Sequence, residues 1–404
     1  VSFSVLDGRY AASLSALSPI VGEENFVYFM SLWSLTYAEV LNNDLHLPMY
    51  PDRQLLAKRV SVKEQVTKHQ MVALIQVLEE DYPEVSFHYG LTSEDIMHNA
   101  RWTQVHLCIL MINDLLREVE LAIREYEKQL PVAILAHTHG QPATPVFIGP
   151  YLRAKCRRIG LVLPEYRLGG SNGQLTALRL ISGLSDFKDM ATAWSKKVAY
   201  RLAQLERVQI VTPTDTHGLL QLGPSNEATL LSGVATAVKM RALARALWDH
   251  CQRKLLLYES SSGQAGSSAM PHKVNPIDFE NAEGAFTIAE KTLLTAFEAN
   301  SDTRGLRDLS NSIINRQMLE GWVYLYHGLK SLTRGMSKTI YSHERAVGEL
   351  RENPECLTEI LRYYLQEREG HADPYWELKQ NPPTDFNSTM ERLGPWKDFL
   401  VRRR

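Results

Sequence analysis

Cysteine is scarce. The 404 residues include four, Cys108, Cys156, Cys251 and Cys356, far apart and with no CxxC pair. Such spacing argues against a disulfide framework or a zinc ribbon and for a reducing cytoplasm. A surplus of either charge is missing as well. The 44 Lys and Arg stand against 46 Asp and Glu, a net charge of −2. No broad basic field therefore draws nucleic acid, and any anion must be bound locally. No uninterrupted apolar run approaches the ~18 residues of a membrane span, and no signal-peptide pattern is read at the start. The chain opens on Val1, which suggests a trimmed start. Repeats, low-complexity tracts and flexible linkers are lacking too.

What is present is helix. Glu24 to Leu41 and Val62 to Glu80 carry apolar residues at helical spacing, and Lys68, His69 and Gln70 fall on the second. From Glu94 to Leu130 neither Gly nor Pro intervenes, which predicts a helix on the order of 50 Å long. Thr92 and Ser93 stand where such a helix is capped, and a helix start also faces an anion well. Tyr151 to Leu168, Glu227 to Tyr258, Pro276 to Ala299 and Asp308 to Ile340 read as further helices. Apolar residues such as Leu247, Trp248, Leu255, Leu256 and Leu257 are too many for one core seam, which points to burial by other subunits. The predicted class is all-α: an N-terminal helical domain over 1–92, a central long-helix bundle over 93–337 and a small helical domain over 338–404.

The stretch with the most chemistry runs from Gly263 to Gly284, GQAGSSAMPHKVNPIDFENAEG. Gly266, Ser267, Ser268 and Ala269 pack little, and glycine frees the backbone. Asn275 suits an N-cap, Pro276 the first helical position, and Asp278 the third, as in a capping box. Lys273 just before that positive helix end makes an anion site. By local physics alone the stretch is equally a solvated Ser/Gly loop before a capped helix.

Four other strings carry polar groups of interest. In LAHTHGQPATP, Gly140 and two prolines forbid a regular element, so His139 is expected on a stiff, irregular loop, an imidazole suited to moving protons near neutrality. His137 and His139 make a weak metal pair, since no Cys or carboxylate stands at ligand spacing. LGGSNGQ is glycine-rich, but no preceding strand is evident, which counts against a dinucleotide fold. Arg9 and Tyr10, after the Asp7–Gly8 turn, can grip a phosphate. In TRGLRDLSNSIINR, Arg307 precedes the expected cap Asp308, while Ser312 and Arg316 share a helix face; the set suits a phosphate or dicarboxylate.

DGRY, TSED, THGQPATP, the Gly263 stretch and RDLSNS with Arg316 together resemble the fumarase/aspartase superfamily of lyases. Within it, PHKVNPIDFEN points to the adenylosuccinate lyases, and the resemblance runs from Ser4 to about Thr339. It implies β-elimination of fumarate from a succinylamino nucleotide. His139 would be the general acid, Ser267 the base, Lys273 with Asn275 the clamp on developing charge, and Glu280 the carboxylate that orients the imidazole. Arg9, Tyr10, Arg307, Ser312 and Arg316 would hold phosphate and succinyl carboxylates, with Ser268 helping. Lys68, His69, Gln70, Thr92, Ser93 and, after a small gap, Gln221 would lie against substrate, and Asn281 against the base.

Two positions depart from the pattern. Gln70 replaces the family's aspartate, and Gln174–Leu175 interrupts its GAVG-like run. The resemblance further implies no metal or organic cofactor, a small-molecule nucleotide substrate, no nucleic-acid or membrane partner, and a cytoplasmic homotetramer with each site built from three subunits. The rival readings are a sister lyase acting on argininosuccinate, fumarate or aspartate, and a non-catalytic scaffold that keeps the fold.

Overall fold

Helical spacing becomes helix in the computed structural model of the chain, which describes residues 6–156, 160–183, 187–203, 205, 208–212, 226–259, 270, 272–301, 304 and 309–394. A short 3-10 turn, Ala11–Leu17, leads to α1 (Glu23–Leu41), α2 (Arg53–Thr67), α3 (Gln70–Asp81) and α4 (Ser93–Gln129). A hairpin of β1 (Ala133–Thr138) and β2 (Gln141–Phe147) follows, then α5 (Ile148–Lys155), β3 (Tyr166–Arg167), α6 (Thr176–Ser182), α7 (Lys188–Arg201) and β4 (Ile210–Val211). The long helix α8 (Glu227–Gln252) precedes β5 (Leu256–Tyr258), and α9 (Ile277–Ser301) and α10 (Ser310–Ser337) lead to β6 (Thr339–Tyr341). The chain closes with α11 (His343–Glu352), α12 (Thr358–Arg368), α13 (Tyr375–Gln380) and α14 (Phe386–Leu393). The class is all-α, and among the described residues the strands form only two-stranded pairs: β1–β2 and β5–β6 antiparallel, β3–β4 parallel.

Four local expectations are corrected. The helix expected over Val62–Glu80 breaks, because Lys68 turns left-handed (φ 53°) and His69 is extended as the N-cap of α3. The helix expected to reach Leu168 stops at Lys155. A strand does precede LGGSNGQ, yet it is two residues long and, among the described residues, pairs only with Ile210–Val211, too little for a dinucleotide-binding sheet. Finally, Lys254 turns left-handed (φ 60°) after α8, so Leu256–Tyr258 leaves the expected helix and pairs with Thr339–Tyr341.

The chain divides into two compact units. The first takes Val1–Asp114, Ile159–Ala237 and Thr287–His327; the second takes Leu115–Arg158, Val238–Phe286 and Gly328–Arg404. In the first, Trp33, Tyr37, Tyr166 and Trp194 make a buried aromatic cluster with ring centroids 5.0–5.1 Å apart. Both indoles are satisfied, Trp33 donating to Thr103 Oγ1 (3.0 Å) and Trp194 to Thr36 Oγ1 (2.9 Å), so large rings are buried without stranding their N–H groups. In the second, Ala133, Leu135, Leu350, Cys356 and Leu357 form a core under the hairpin.

Glycine permits close approach of α9 and α10. A Cβ at Gly321 would meet Leu293 at 2.9 Å in the first unit; at Gly328 it would meet the Phe286 ring at 2.6 Å, and at Gly335 the Phe279 ring at 2.7 Å, in the second. Each partner series steps by seven residues in opposite chain directions, the pattern of an antiparallel seam.

Candidate functional site

Asp95 organises the start of α4. It is fully buried, and Oδ2 accepts from the Thr92 N–H (2.9 Å) and the Gly170 N–H (3.0 Å). Oδ1 accepts from Arg167 Nε (2.9 Å) and the Gly169 N–H (2.8 Å). Asn99 completes the clamp by pairing with both backbone groups of Arg167, at 2.8 and 3.0 Å. Burying a carboxylate and a guanidinium is costly unless every lone pair is met, and here each carboxylate oxygen has two donors. The outcome is a fixed pedestal for Thr92 and Ser93. Beside it, Glu94, Met97, His98, Arg101 and Trp102 of α4 line a cleft with Phe26 of α1 and Ser312, Asn315, Arg316 and Met318 of α10. Arg316 Nη1 donates to Ser312 Oγ (2.9 Å), so the expected pairing of these two along one helix face is present.

The His69–Gln70 position lies at the break before α3. His69 Nδ1 accepts from the Val72 N–H (3.4 Å), and Gln70 donates to Glu23 at the start of α1. Lys68 is the residue that turns the chain. Arg9 is exposed, whereas Tyr10 packs its ring 4.2 Å from the His327 imidazole, at an interplanar angle of 39°.

The second unit carries His139, Lys273, Asn275, Glu280 and Asn281. His139 is not on an irregular loop. It and Gly140 are the two-residue tip of the β1–β2 hairpin, with φ of 52° and 74°. Both central residues left-handed is the geometry whose twist suits a tight hairpin. The prolines are accommodated because the register slips between Ala136 and His137, a bulge that leaves Ala143 without a partner. The side chain is thereby presented to solvent on a short, rigid arm.

At the signature helix, the Lys273 N–H donates to Met270 O (3.0 Å), and Lys273 is exposed just before α9. Asp278 does not close the expected capping box. Its buried carboxylate instead accepts from Arg334 Nε (2.6 Å), Lys338 Nζ (2.9 Å) and the Tyr258 hydroxyl. Burial pushes its pKa up, but the bonds from Tyr258, Lys338 and Arg334 outweigh this and hold it below the ordinary carboxylate value. This ties the first turn of α9 to β5 and to the end of α10. Glu280 accepts from the Trp248 indole N–H (3.0 Å), and Asn281 donates to Ser331 Oγ (2.9 Å).

Ser267, Ser268, Gln221 and Arg307 lie outside the described residues. Of the expected site, the structure brings Ser312 together with Arg316 in the first unit, which also holds Thr92 and Ser93 at the start of α4; His139 and the Lys273 group belong to the second unit. Sequence reasoning missed Asp95, Arg167, Arg101 and His98. The signal for the α4 pair was available, since 94, 97, 98 and 101 repeat at helical steps of three and four. Among the described residues, no group of three or more His, Cys, Asp or Glu is placed to hold a metal ion, and no helix is long and apolar enough to cross a membrane.

Comparison with known proteins gives this geometry a context. The chain is 27% identical to an adenylosuccinate lyase of Dictyostelium discoideum, over 94% of this chain and 87% of that one. It is 26% identical to that of Legionella pneumophila (94% and 88%) and 26% to that of Escherichia coli (93% and 87%). The fold is similar to that of a 3-carboxy-cis,cis-muconate lactonizing enzyme from Pseudomonas putida, with a TM-score of 0.64 at 19% identity over 91% of this chain and 84% of that one. Residues 54–288, more than half of the sequence and the span that holds the hairpin tip and the first turns of the signature helix, match the model of the Lyase family, and the chain belongs to that family.

Proposed function

We propose that this lyase acts on adenylosuccinate, releasing fumarate and AMP, and that it also cleaves the succinylcarboxamide ribotide (SAICAR) to fumarate and AICAR. The observation that carries the reading is similarity to proteins named adenylosuccinate lyase along almost the whole chain, 94% in the Dictyostelium case. The residue chemistry agrees with it. Elimination breaks a C–H bond next to a carboxylate and the adjacent C–N bond, and forms a C=C bond. The proton taken from carbon needs a base, the departing nitrogen needs a proton, and the carboxylate needs a cation while it carries extra charge. An imidazole on a rigid hairpin tip and an ammonium before a helix start supply the second and third; Ser267, outside the described residues, is the proposed base.

Glu280 is proposed to orient the His139 ring, with Asn275 assisting Lys273. Arg9, Tyr10, Arg307, Ser312, Arg316 and Ser268 bind phosphate and carboxylates in this reading. Lys68, His69, Gln70, Thr92, Ser93, Gln221 and Asn281 contact the remainder. The working form is a cytoplasmic homotetramer in which several subunits complete each site. Following ultraviolet absorbance while purified protein meets adenylosuccinate tests the activity. Turnover of argininosuccinate with none of adenylosuccinate would replace this reading with the sister-lyase one.

A further inference from the structure

Trp248 is one of the apolar residues that α8 leaves unburied: it is 38% exposed, yet its indole is engaged. Nε1 reaches across to α9 and donates to Glu280 Oε1 (3.0 Å). Among the described residues that indole is the carboxylate's one hydrogen-bond donor. One turn away along both helices, Arg245 Nε donates to Glu283 Oε1 (2.6 Å). The rungs 245–283 and 248–280 mark α8 and α9 as antiparallel here, all within the second unit.

The two carboxylates are held by different chemistry. Glu283 meets a guanidinium, whose charge offsets its own. Glu280 meets an indole N–H, a donor that brings no charge. Its negative charge therefore stays available to a cationic partner, and Oε2 takes no hydrogen bond from a described residue. The backbone beneath it is fixed as well. Asp278, buried and bound to Arg334, Lys338 and Tyr258, turns one face of α9 inward, and a residue two positions on points to the opposite side. An exposed glutamate without such a bond samples several rotamers.

We propose that Trp248 is a positioning residue for the elimination: by holding Oε1 it fixes the Glu280 side chain so that Oε2 accepts from the His139 ring. The proposal rests on the role given to Glu280 above and adds the residue that aims it. A lysine or arginine at position 248 would hold the carboxylate too, but would compete with the imidazolium for its charge.

A kinetic double-mutant cycle on the full chain tests this. Trp248→Phe keeps an aromatic body and removes the donor. Its kcat on adenylosuccinate is expected to fall ~10-fold with KM changed less than ~3-fold, and the fall should vanish when Glu280 is already alanine. A role in packing alone would cost the same factor in both backgrounds. A second readout needs no turnover. The rate at which diethyl pyrocarbonate modifies His139, followed by peptide mass spectrometry across pH, gives the pKa of that ring. A well-placed carboxylate raises it, so Trp248→Phe and Glu280→Ala should each lower it by ~0.5 or more. If Trp248→Phe does not fold, benzothienylalanine at position 248 carries the test, since it replaces the indole N–H by sulfur at nearly the same shape. Parental kcat in the folded variant, an undiminished loss in the Glu280→Ala background, or an unmoved His139 pKa overturns the proposal. A parent that leaves adenylosuccinate intact, but whose His139 pKa drops in both variants, would instead sink the activity reading and leave the role of Trp248 standing.

Discussion

His139 is exposed at the end of a hairpin, so its ring contributes little to folding. In the role proposed for it, His139→Ala is therefore expected to lower kcat by roughly 10²–10⁴-fold, the usual worth of a general acid, with an unchanged urea midpoint. Near-parental turnover would show that the proton comes from elsewhere. Asp95 has the opposite profile. Asp95→Ala leaves Arg167 buried without its counter-charge and should cost about 3–5 kcal/mol of stability, read by urea denaturation. The residues proposed for the site could be picked out of the sequence by type: His139, Lys273, Ser312 and Arg316 stand out by kind and spacing. Their partners were not. That Gln70 donates to Glu23, or that Asp278 holds Tyr258, Arg334 and Lys338, depends on which elements meet, and no local pattern encodes it.

At the scale of elements, α4, α9 and α10 were legible because long runs without proline and with helical apolar spacing leave the chain few alternatives. The breaks at Lys68 and Lys254 were not. A left-handed lysine carries no compositional mark, unlike glycine, and is imposed by how the flanking helices pack. The hairpin was misjudged because two prolines argue against strands, yet one bulge accommodates them. The seam between α9 and α10 gives an element-scale prediction. Gly328→Ala puts a methyl 2.6 Å from the Phe286 ring, closer than any real contact, so that ring or the helix must shift. A loss of about 1–3 kcal/mol is expected from overpacking, whereas Gly348→Ala in α11, where a Cβ meets nothing within 4 Å, should be neutral or mildly stabilising. Comparing the two thermal midpoints checks it, and equal midpoints would mean the seam is looser than described.

For the whole molecule, acid is the expected weakness, and the reason is buried histidine. His106 and His250 are fully buried, each with Nδ1 on a tyrosine hydroxyl, Tyr166 at 2.9 Å and Tyr341 at 2.7 Å. Burial pushes the first down to about 4; burial, helped by the Arg253 and Lys155 cations, pushes the second down to about 3. In the unfolded chain both titrate near 6.5. Between the two limits the unfolded state binds protons that the folded state refuses, so unfolding is favoured as pH falls. Each histidine thus contributes stability that is complete above about pH 6.5 and declines toward its folded pKa, on the order of 3 kcal/mol apiece at full shift. Asp278, held below its ordinary value, adds a loss only at lower pH, as pH falls through the carboxylate range. The windows are separable, and His250→Gln separates them. At pH 7 this variant should be less stable than the parent because packing at the Tyr341 hydroxyl is disturbed. At pH 4.5 the gap should narrow by about 2–3 kcal/mol, since glutamine takes up no proton on unfolding. Urea midpoints measured at intervals from pH 7 to pH 4.5 test this: converging curves are expected, and parallel ones would mean that His250 is charged in the fold after all.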